Sequence, residues 1–446
     1  MKTISTRLLF ITCALGYAAS WALGWPGAVS IDMFQTIREG FDSRYAGHYD
    51  PMAAVAWKLP LLFFDMPTAV AFVFALQALG YWLTFGLLAW NALRQQCPSV
   101  AALIVALAFS PPFFAFSIAI ESNMQVAVWW GLSMALCMTA RRPALLLWVT
   151  PMLWAGFVGR YGTVAAFFWV ALFCAKASLP SWRIAKIAGL AALMAVGFQA
   201  MSYLVPKLVL RAPSSTSTVS VSQLFDMAGI YHLTGRQWIP NWCVPAGLSA
   251  GDVVASYDAR NCVPMFWSVG GRPIFNRPKT EAEASELTQA WWTTISSEPM
   301  AYWTVKARFA SALLLWSYDT CYGVGLDFTG GPHIGVAAPP DPSQHPMVLY
   351  ALLSGSWLVQ RGWIWILAVA TVLCLAVLVR AQDRLMALCA ALAGFGLLVP
   401  QLMFGQGASP RYLVPVFWMF MTSIALALPN LLLSTRARLR AKQAPS

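Results

Sequence analysis

The chain has 446 residues, of which 59% are hydrophobic and only 10% are charged, and its formal net charge is +12. Soluble globular proteins carry about 25% charged residues, so too few polar side chains remain here to cover a water-facing surface. This composition argues against a cytosolic enzyme, a secreted disulfide scaffold and a disordered chain. It predicts an all-α polytopic membrane protein.

Ten apolar stretches have the length of membrane-spanning helices. About 18 apolar residues, nearly free of charge, are enough to cross a hydrocarbon core of ~30 Å. Two of the stretches are short and depend on packing against their neighbours. The predicted spans are 8–25, 68–91, 99–119, 123–140, 144–159, 162–176, 187–205, 362–379, 385–404 and 412–431.

The first span resembles a signal peptide, because Lys2 and Arg7 precede its apolar run. The run continues through Trp21 and Trp25 without a clear cleavage site. It therefore predicts an uncleaved first helix.

The basic residues are distributed unevenly between the two sides of the membrane. With the N-terminus inside, the inner connections and the C-terminal tail carry 14 of the 29 basic residues but only one of the 17 acidic residues, Asp383. The outer side is nearly neutral. This asymmetry follows the positive-inside rule and predicts that both termini are cytoplasmic. The positive charge serves topology, and no nucleic-acid partner is expected.

Most of the chain outside the membrane lies on the outer, periplasmic side, in a first loop at 26–67 and a larger region at 206–360. Within the larger region, the stretches 300–317 and 346–360 suit interfacial or re-entrant helices; if both span, the count rises from ten to twelve. The predicted parts are an N-terminal transmembrane module (1–205), a periplasmic or interfacial region (206–360), and C-terminal helices with a basic tail (361–446).

The first loop carries the most informative acidic residues. Asp32 comes a few residues after the first span, so it lies at the membrane surface. A partly desolvated carboxylate there gains basicity and can act as a general base. The alternative is that Asp32, Asp42 and Asp50 solvate a polar loop and cap short helices.

Together, Asp32, Gly40, Asp42 and the segment from His48 to Pro51 make this loop resemble that of the GT-C type integral-membrane glycosyltransferases. The similarity is to the bacterial branch that uses polyprenyl-phosphate sugar donors, whose first outer loop runs Asp-x(several)-Gly-x(several)-Asp-x-His-Pro-Pro. Asp32 matches that family's catalytic acidic position. Asp50 stands where the family has His, and His48 lies two residues earlier, so either could take the second polar role in catalysis.

Four further segments extend the resemblance in the same order and on the same face. They are Gly159-Arg160-Tyr161-Gly162, Leu224-Phe225-Asp226-Met227-Ala228-Gly229-Ile230, Glu298-Pro299-x-x-Tyr302 followed by Lys306 and Arg308, and Ser409-Pro410-Arg411-Tyr412-x-x-Pro415. The resemblance implies a GT-C-like bundle of about 10–12 transmembrane helices with two large periplasmic loops. It also implies transfer of a sugar from a polyprenyl-phosphate donor to a periplasm-facing surface polysaccharide, lipid-linked oligosaccharide or lipid A-type glycolipid.

Such a transfer needs a base for the acceptor hydroxyl and positive charge for the departing phosphate. Asp32 is the candidate base, and an inverting displacement needs only one such carboxylate. A retaining mechanism would need a second carboxylate as nucleophile, which Asp50 or Asp226 could supply.

Basic residues at predicted outer helix ends are the candidates for binding the donor phosphate. The alternative is that they anchor helices to lipid headgroups. These candidates are Arg160, Arg411, Lys306 and Arg308.

The candidate substrate-binding residues are Asp42, Tyr161, Asp226, Tyr412 and Glu121. Glu121 stands in an outer turn with Ser122, Asn123 and Gln125, and this turn could bind sugar hydroxyls. Helix capping by Ser122 is the alternative.

No metal or cofactor motif is present, so no cofactor is predicted. Isolated acidic residues could still hold a divalent cation. Cys243 and Cys262 could form a disulfide in an oxidising periplasm, although Cys321 would then remain single.

Two other functions stay open. A lipid-linked sugar flippase or transporter would place ionisable residues within its spans. An O-antigen polymerase or ligase would need outer arginines to hold a pyrophosphate-linked donor, and Arg236, Arg260, Arg272 and Arg277 could supply them.

Overall fold

A computed structural model describes most of the chain, and helices dominate it. The described residues are 2–25, 28–29, 31–43, 45, 51–114, 117–139, 145–158, 163–210, 216–260, 263–266, 274–314, 361–379, 383–405 and 410–443.

Nine of the ten predicted spans each overlap one helix, and the tenth, 99–119, overlaps a helix over its first half. These helices are α1 (Lys2–Gly24), α4 (Met66–Arg94), α5 (Pro98–Phe109), α7 (Ser122–Thr139), α8 (Leu145–Val158), α9 (Thr163–Ser178), α10 (Ile184–Leu204), α16 (Gly362–Val379), α17 (Arg384–Phe404) and α18 (Val414–Gln443).

Among the described residues, six segments are long and apolar enough to cross a membrane by themselves. They are Thr6–Gly24, Met66–Arg94, Ile184–Val209, Gly362–Val379, Arg384–Phe404 and Val414–Leu439. The third includes a π-helical turn, Val205–Val209, that continues α10. These segments identify a multi-pass, helical membrane protein.

The remaining elements are shorter and connect or flank these helices. They are β1 (Ala28–Val29), α2 (Ile31–Asp42), α3 (Pro51–Leu61), α6 (Pro111–Phe114), β2 (Ala119–Ile120), α11 (Thr216–Thr234), a 3-10 turn (Asn241–Cys243), α12 (Ala250–Ser256), α13 (Val263–Phe266), α14 (Glu281–Ser297), α15 (Pro299–Leu313) and a 3-10 turn (Pro410–Leu413). The predicted helix at 346–360 lies outside the described residues.

The predicted span 99–119, in which Pro111-Pro112 favoured a kink, is not a single helix. Helix α5 ends at Phe109, and Ser110 has extended backbone (φ −68°, ψ 141°). The next residue is Pro111, and a proline disfavours helical backbone in the residue before it and removes an N–H donor. The chain therefore leaves the helix at Ser110 and reaches β2 through α6.

A short parallel strand pair, which the sequence did not predict, joins the first loop to the segment before α7. Ala28 pairs with Ala119 and Val29 pairs with Ile120. The side-chain amide of Gln77 on α4 donates to the carbonyl of Ala119 (2.8 Å). The ladder ties the start of α2 to the start of α7.

Polar contacts from α1 hold the same segment from the other side. The hydroxyls of Ser20 and Ser117 lie 2.8 Å apart, and Trp82 Nε1 on α4 donates to Ser20 Oγ (2.9 Å). All three residues are buried. Residues 117–120 are therefore fixed between α1 and α4 before α7 begins.

Helix α18 lies at the centre of the bundle, where it contacts α4, α5, α7, α16 and α17. Its Trp418 is fully buried against Tyr81 and Phe85 of α4. A Cβ at Gly131 of α7 would overlap the Trp418 ring. Small residues at such crossings let transmembrane helices approach closely, so this glycine allows α7 to pack directly on α18.

Candidate functional site

The site begins with the alignment of two helix starts. Val29 and Ile120 are paired in a parallel ladder, and α2 and α7 each begin two residues after the paired residue. Because parallel strands end at the same edge, α2 and α7 both start from the same edge of this ladder. Asp32 is the second residue of α2, and Glu121 immediately precedes α7. The ladder thus brings together the backbones of two residues that were predicted separately.

Glu121 is buried, with 1% of its surface exposed, and its carboxylate caps α7. Its Oε2 accepts the backbone N–H of Asn123 (2.8 Å), and its Oε1 accepts the Asn123 side-chain amide (3.1 Å). A negative group suits the positive end of a helix dipole. The cap comes from Glu121, one residue before the Ser122 that the sequence favoured as the cap.

Gln125 lies one helical turn below Glu121, and its backbone N–H donates to the Glu121 carbonyl (3.0 Å). Its side chain is completely buried. Neither Oε1 nor Nε2 has a hydrogen-bond partner among the described residues. A buried amide without partners is costly, because it has given up its hydrogen bonds to water.

Helix α2 is held against α3 along its inner face. Met33 and Ile37 are buried, and Trp57 of α3 is fully buried beside them in the core. A Cβ at Gly40 would collide with the backbone carbonyl of Ala54 on α3. Gly40, which belongs to the motif of the resemblance, is therefore needed for the close crossing that orients α2.

Asp42 is not brought to this site. It lies at the far end of α2 from Asp32, about 15 Å away along the helix axis at 1.5 Å per residue. Its carboxylate is exposed and lies 3.6 Å from the guanidinium of Arg38, one turn earlier. Exposed pairs of this kind contribute little to stability.

A second cluster of charged groups lies between α11, α14 and α15. Lys306 Nζ is 2.5 Å from Asp226 Oδ1, and the two side chains are 6% and 1% exposed. Trp291 Nε1 donates to Asp226 Oδ2 (3.3 Å). Burial raises the pKa of Asp226 to about 6, and this effect outweighs the opposing influence of Lys306 and Trp291.

The pair changes the roles expected of its two members. Lys306 was a candidate for binding the donor phosphate and Asp226 for binding substrate, but their charges are buried against each other. Arg308, two residues further along α15, is exposed. Of the two basic residues on this helix, Arg308 is the one that can reach a ligand.

Two tyrosines border the Asp226 carboxylate. Burial raises the pKa of Tyr302 to about 12, and the charge of Asp226 acts in the same direction. The Lys306 ammonium lies 5.4 Å from the centre of the Tyr302 ring. Burial likewise raises the pKa of Tyr257, whose hydroxyl has no hydrogen-bond partner among the described residues. Both phenols therefore stay protonated at neutral pH.

Two of the outer arginines are engaged in ion pairs. Arg236 Nη1 lies 2.6 Å from Glu298 Oε1, and Arg260 Nε lies 2.8 Å from Asp258 Oδ1. These two guanidinium groups are therefore balanced by carboxylates.

The Arg-Tyr segment before α18 packs against α7. Arg411 and Tyr412 lie in the 3-10 turn Pro410–Leu413, and this turn contacts α7. Tyr412 is half-buried against the core, and the side chain of Arg411 lies outside the described part. The turn therefore lies against the helix that Glu121 caps.

The other predicted site residues fall outside the described residues. His48, Asp50, Arg160 and Tyr161 are not described at all, and Asp32 is described only by its backbone in α2. The predicted disulfide is also untested: Cys243 is buried, whereas Cys262 lies outside the described residues.

No family model, curated protein or solved structure matches this chain. Within the described ranges, no three His, Cys, Asp or Glu residues are grouped so that they could hold a metal ion.

The sequence had no signal for the Asp226–Lys306 pair, because its members are 80 residues apart in different motifs. The sequence did place Gln125 beside Glu121. It could not show that the Gln125 amide is completely buried, because burial depends on packing between helices.

Proposed function

We propose that this protein is a GT-C type glycosyltransferase of a bacterial inner membrane. It would move a sugar from a polyprenyl-phosphate donor to a glycan or glycolipid acceptor that faces the periplasm. The observation that carries this proposal is the β1–β2 register, because it aligns the Asp32 position in α2 with buried Glu121 at the start of α7. Two acidic positions from separate loops thereby share one edge.

In the proposed reaction, Asp32 removes the proton of the acceptor hydroxyl. A positioned base contributes typically 10²–10⁴-fold to such a step. Both oxygens of Glu121 already accept N–H groups of Asn123, so Glu121 maintains the first turn of α7. Asp226 is engaged with Lys306 in another cluster. An inverting displacement with Asp32 as the single base suits this division of roles.

The departing phosphate would be bound by arginines at the outer helix ends. A guanidinium offers a planar set of donors that fits phosphate oxygens. Arg411 lies in a turn that packs on α7, the helix that carries Glu121, and Arg308 is exposed on α15. Arg160 is the third candidate, whereas Lys306 is neutralised by Asp226.

The proposed topology has about ten spans, both termini in the cytoplasm and the site on the periplasmic side. In the six long segments, the charged residues lie near the ends: Arg7, Arg94, Lys186, Lys207, Arg384, Arg436 and Arg438. A flippase or transporter would place such residues in mid-span, facing a pathway. The distribution supports an enzyme over a transporter.

A polymerase or ligase with a pyrophosphate donor would need free outer arginines. Arg236 and Arg260 are paired with Glu298 and Asp258.

The test uses a deletion strain complemented with the wild-type gene, Asp32→Asn or Asp42→Asn. Surface glycans and lipid-linked sugars would be analysed by mass spectrometry. We expect the wild type and Asp42→Asn to restore one sugar that the deletion strain lacks. Asp32→Asn should leave that sugar absent, with its polyprenyl-phosphate donor accumulating. Asp42→Asn is the matched control, because it alters an exposed carboxylate at the other end of the same helix. Full restoration by Asp32→Asn would refute the assignment.

A further inference from the structure

The corner between α3 and α4 exposes a group of large apolar side chains. Trp57, just before this group, is fully buried, whereas Leu62 and Phe63 are 67% and 74% exposed. Neighbouring apolar side chains that are all exposed mark a contact with a partner or with a membrane. We call this group the apolar corner, and its members are Leu59, Leu62, Phe63 and Phe64.

The apolar corner continues the outer face of α4. Phe64 packs against Phe72 of α4, and the centres of the two rings lie 5.2 Å apart. From Ala69 to Leu93, the exposed residues of α4 are all large and apolar: Phe72, Leu76, Leu79 and Leu83. They recur every three or four residues and so lie on one side of the helix. Because α4 is long and apolar enough to cross a membrane, this side faces lipid.

The length of α4 places the apolar corner at a membrane surface. Its 29 residues extend about 43 Å at 1.5 Å per residue, which matches the ~40–45 Å of a bilayer with its headgroups. Arg94 ends the helix at one surface, so the corner lies at the other. Asp65 caps α4 there by accepting the Thr68 N–H (3.1 Å), and a carboxylate is costly in the hydrocarbon core. Asp65 therefore stays at the level of the headgroups, and only the apolar side chains beside it can enter the bilayer.

We propose that the apolar corner is a membrane anchor, whose side chains pack among the phospholipid acyl chains of the leaflet at the N-terminal end of α4. Phospholipid is the occupant because the corner is continuous, through Phe64 and Phe72, with a helix face that lipid covers. The polar boundary of the anchor is Lys58, whose Nζ donates to Ser43 Oγ (2.8 Å) directly after α2.

The anchor also acts on the helix that carries the Asp32 position. Helix α3 packs closely on α2, where a Cβ at Gly40 would meet the Ala54 carbonyl. A corner held in the bilayer therefore fixes the depth of the α2–α3 pair relative to the membrane. The proposal goes beyond the proposed function and does not depend on which reaction the protein catalyses.

The first experiment places the photo-crosslinking residue benzoylphenylalanine at the position of Phe63 in the full-length protein. Glu281, the exposed first residue of α14, is the control position. Each protein is reconstituted into vesicles of phosphatidylethanolamine and phosphatidylglycerol and irradiated, and its adducts are identified by mass spectrometry. We expect the yield of lipid adducts at position 63 to be several times the yield at position 281. Equal yields, or adducts at position 63 to a second copy of the chain, would overturn the proposal.

A second experiment does not depend on the crosslinking residue being tolerated. Phe63→Glu and Phe63→Leu are compared with the wild type by thermal unfolding in nanodiscs of the same two lipids. We expect Phe63→Leu to keep the wild-type Tm and Phe63→Glu to lower it by several degrees, because a carboxylate then replaces an apolar group among acyl chains. On a surface that faces water, such a substitution changes stability little. Equal Tm values for the two variants would therefore contradict the anchor.

Discussion

Replacing one member of the Asp226–Lys306 pair should destabilise the protein strongly. The side chains are 1% and 6% exposed and lie 2.5 Å apart, so the remaining charge would have neither water nor a counter-ion. Breaking a buried pair in this way costs about 3–5 kcal/mol. We therefore expect Asp226→Leu or Lys306→Met alone to lower Tm by at least about 5 °C.

Replacing both members should cost far less. Burial raises the pKa of Asp226 despite its contact with Lys306, which indicates that desolvation outweighs the attraction between the charges. Apolar replacements of buried ion pairs are often neutral or stabilising. In the double variant the Trp291 N–H loses its acceptor, which lowers the free energy of unfolding by about 1 kcal/mol. The double variant should therefore unfold within about 2 °C of the wild type.

The assay is thermal unfolding in detergent, followed by tryptophan fluorescence. Arg236→Ala is the control, because its pair with Glu298 is 70% exposed on the arginine side and should contribute less than about 1 kcal/mol. The reasoning would be refuted if the single variants unfold at the wild-type temperature. It would also be refuted if the decrease in Tm of the double variant equals the sum of the decreases in the two single variants.

Three further predictions concern the same regions. Gly40→Val should lower the free energy of unfolding by about 1–3 kcal/mol, because the valine side chain overlaps the Ala54 carbonyl. Sugar transfer should fall as well, because α2 is displaced. A normal Tm together with normal transfer would show that the close α2–α3 crossing is not needed. Between pH 4 and 6 the folded chain should bind more protons than the unfolded chain at Asp226, whose pKa is raised to about 6. The contribution of Asp226 to the free energy of unfolding should thus fall as pH rises through this window, and Asp226→Asn should remove that part of the slope in a pH series of unfolding curves. Glu121→Gln should keep acceptance of the Asn123 N–H through its carbonyl oxygen and cost about 1 kcal/mol or less; a loss above 3 kcal/mol would show that the negative charge itself is required for folding.

The positions of the helices could be predicted because apolar length is a local property of the sequence. Pro111 and Pro112 also signalled a kink locally, but the apolar residues on both sides did not reveal that the helix ends at Phe109. An apolar run shows that a segment is buried or faces lipid and does not fix its backbone conformation.

The contacts that build the site depend on packing between distant segments. The β1–β2 ladder has only two residues per strand, which is too short for a periodic pattern to appear in the sequence. The sequence could not show which acidic residue of the outer region pairs with Lys306. The buried pair forms only because α11 packs against α15. Asp32 and Glu121 were each found as isolated acidic residues, and only the ladder places them at one edge.

The early end of α5 has a consequence for the depth of the α2–α7 edge in the membrane, and so for the proposed transfer. With 12 residues, α5 is about 18 Å long, which is roughly 12 Å less than the ~30 Å hydrocarbon core. If α5 begins at the cytoplasmic surface, α6 and β2, which follow it, lie in the outer part of the bilayer, where non-helical backbone must be buried or line a cavity. The α2–α7 edge would then lie below the lipid headgroups. An acceptor with its own lipid anchor could present a hydroxyl at that depth, whereas a freely dissolved sugar would have to leave water to reach it.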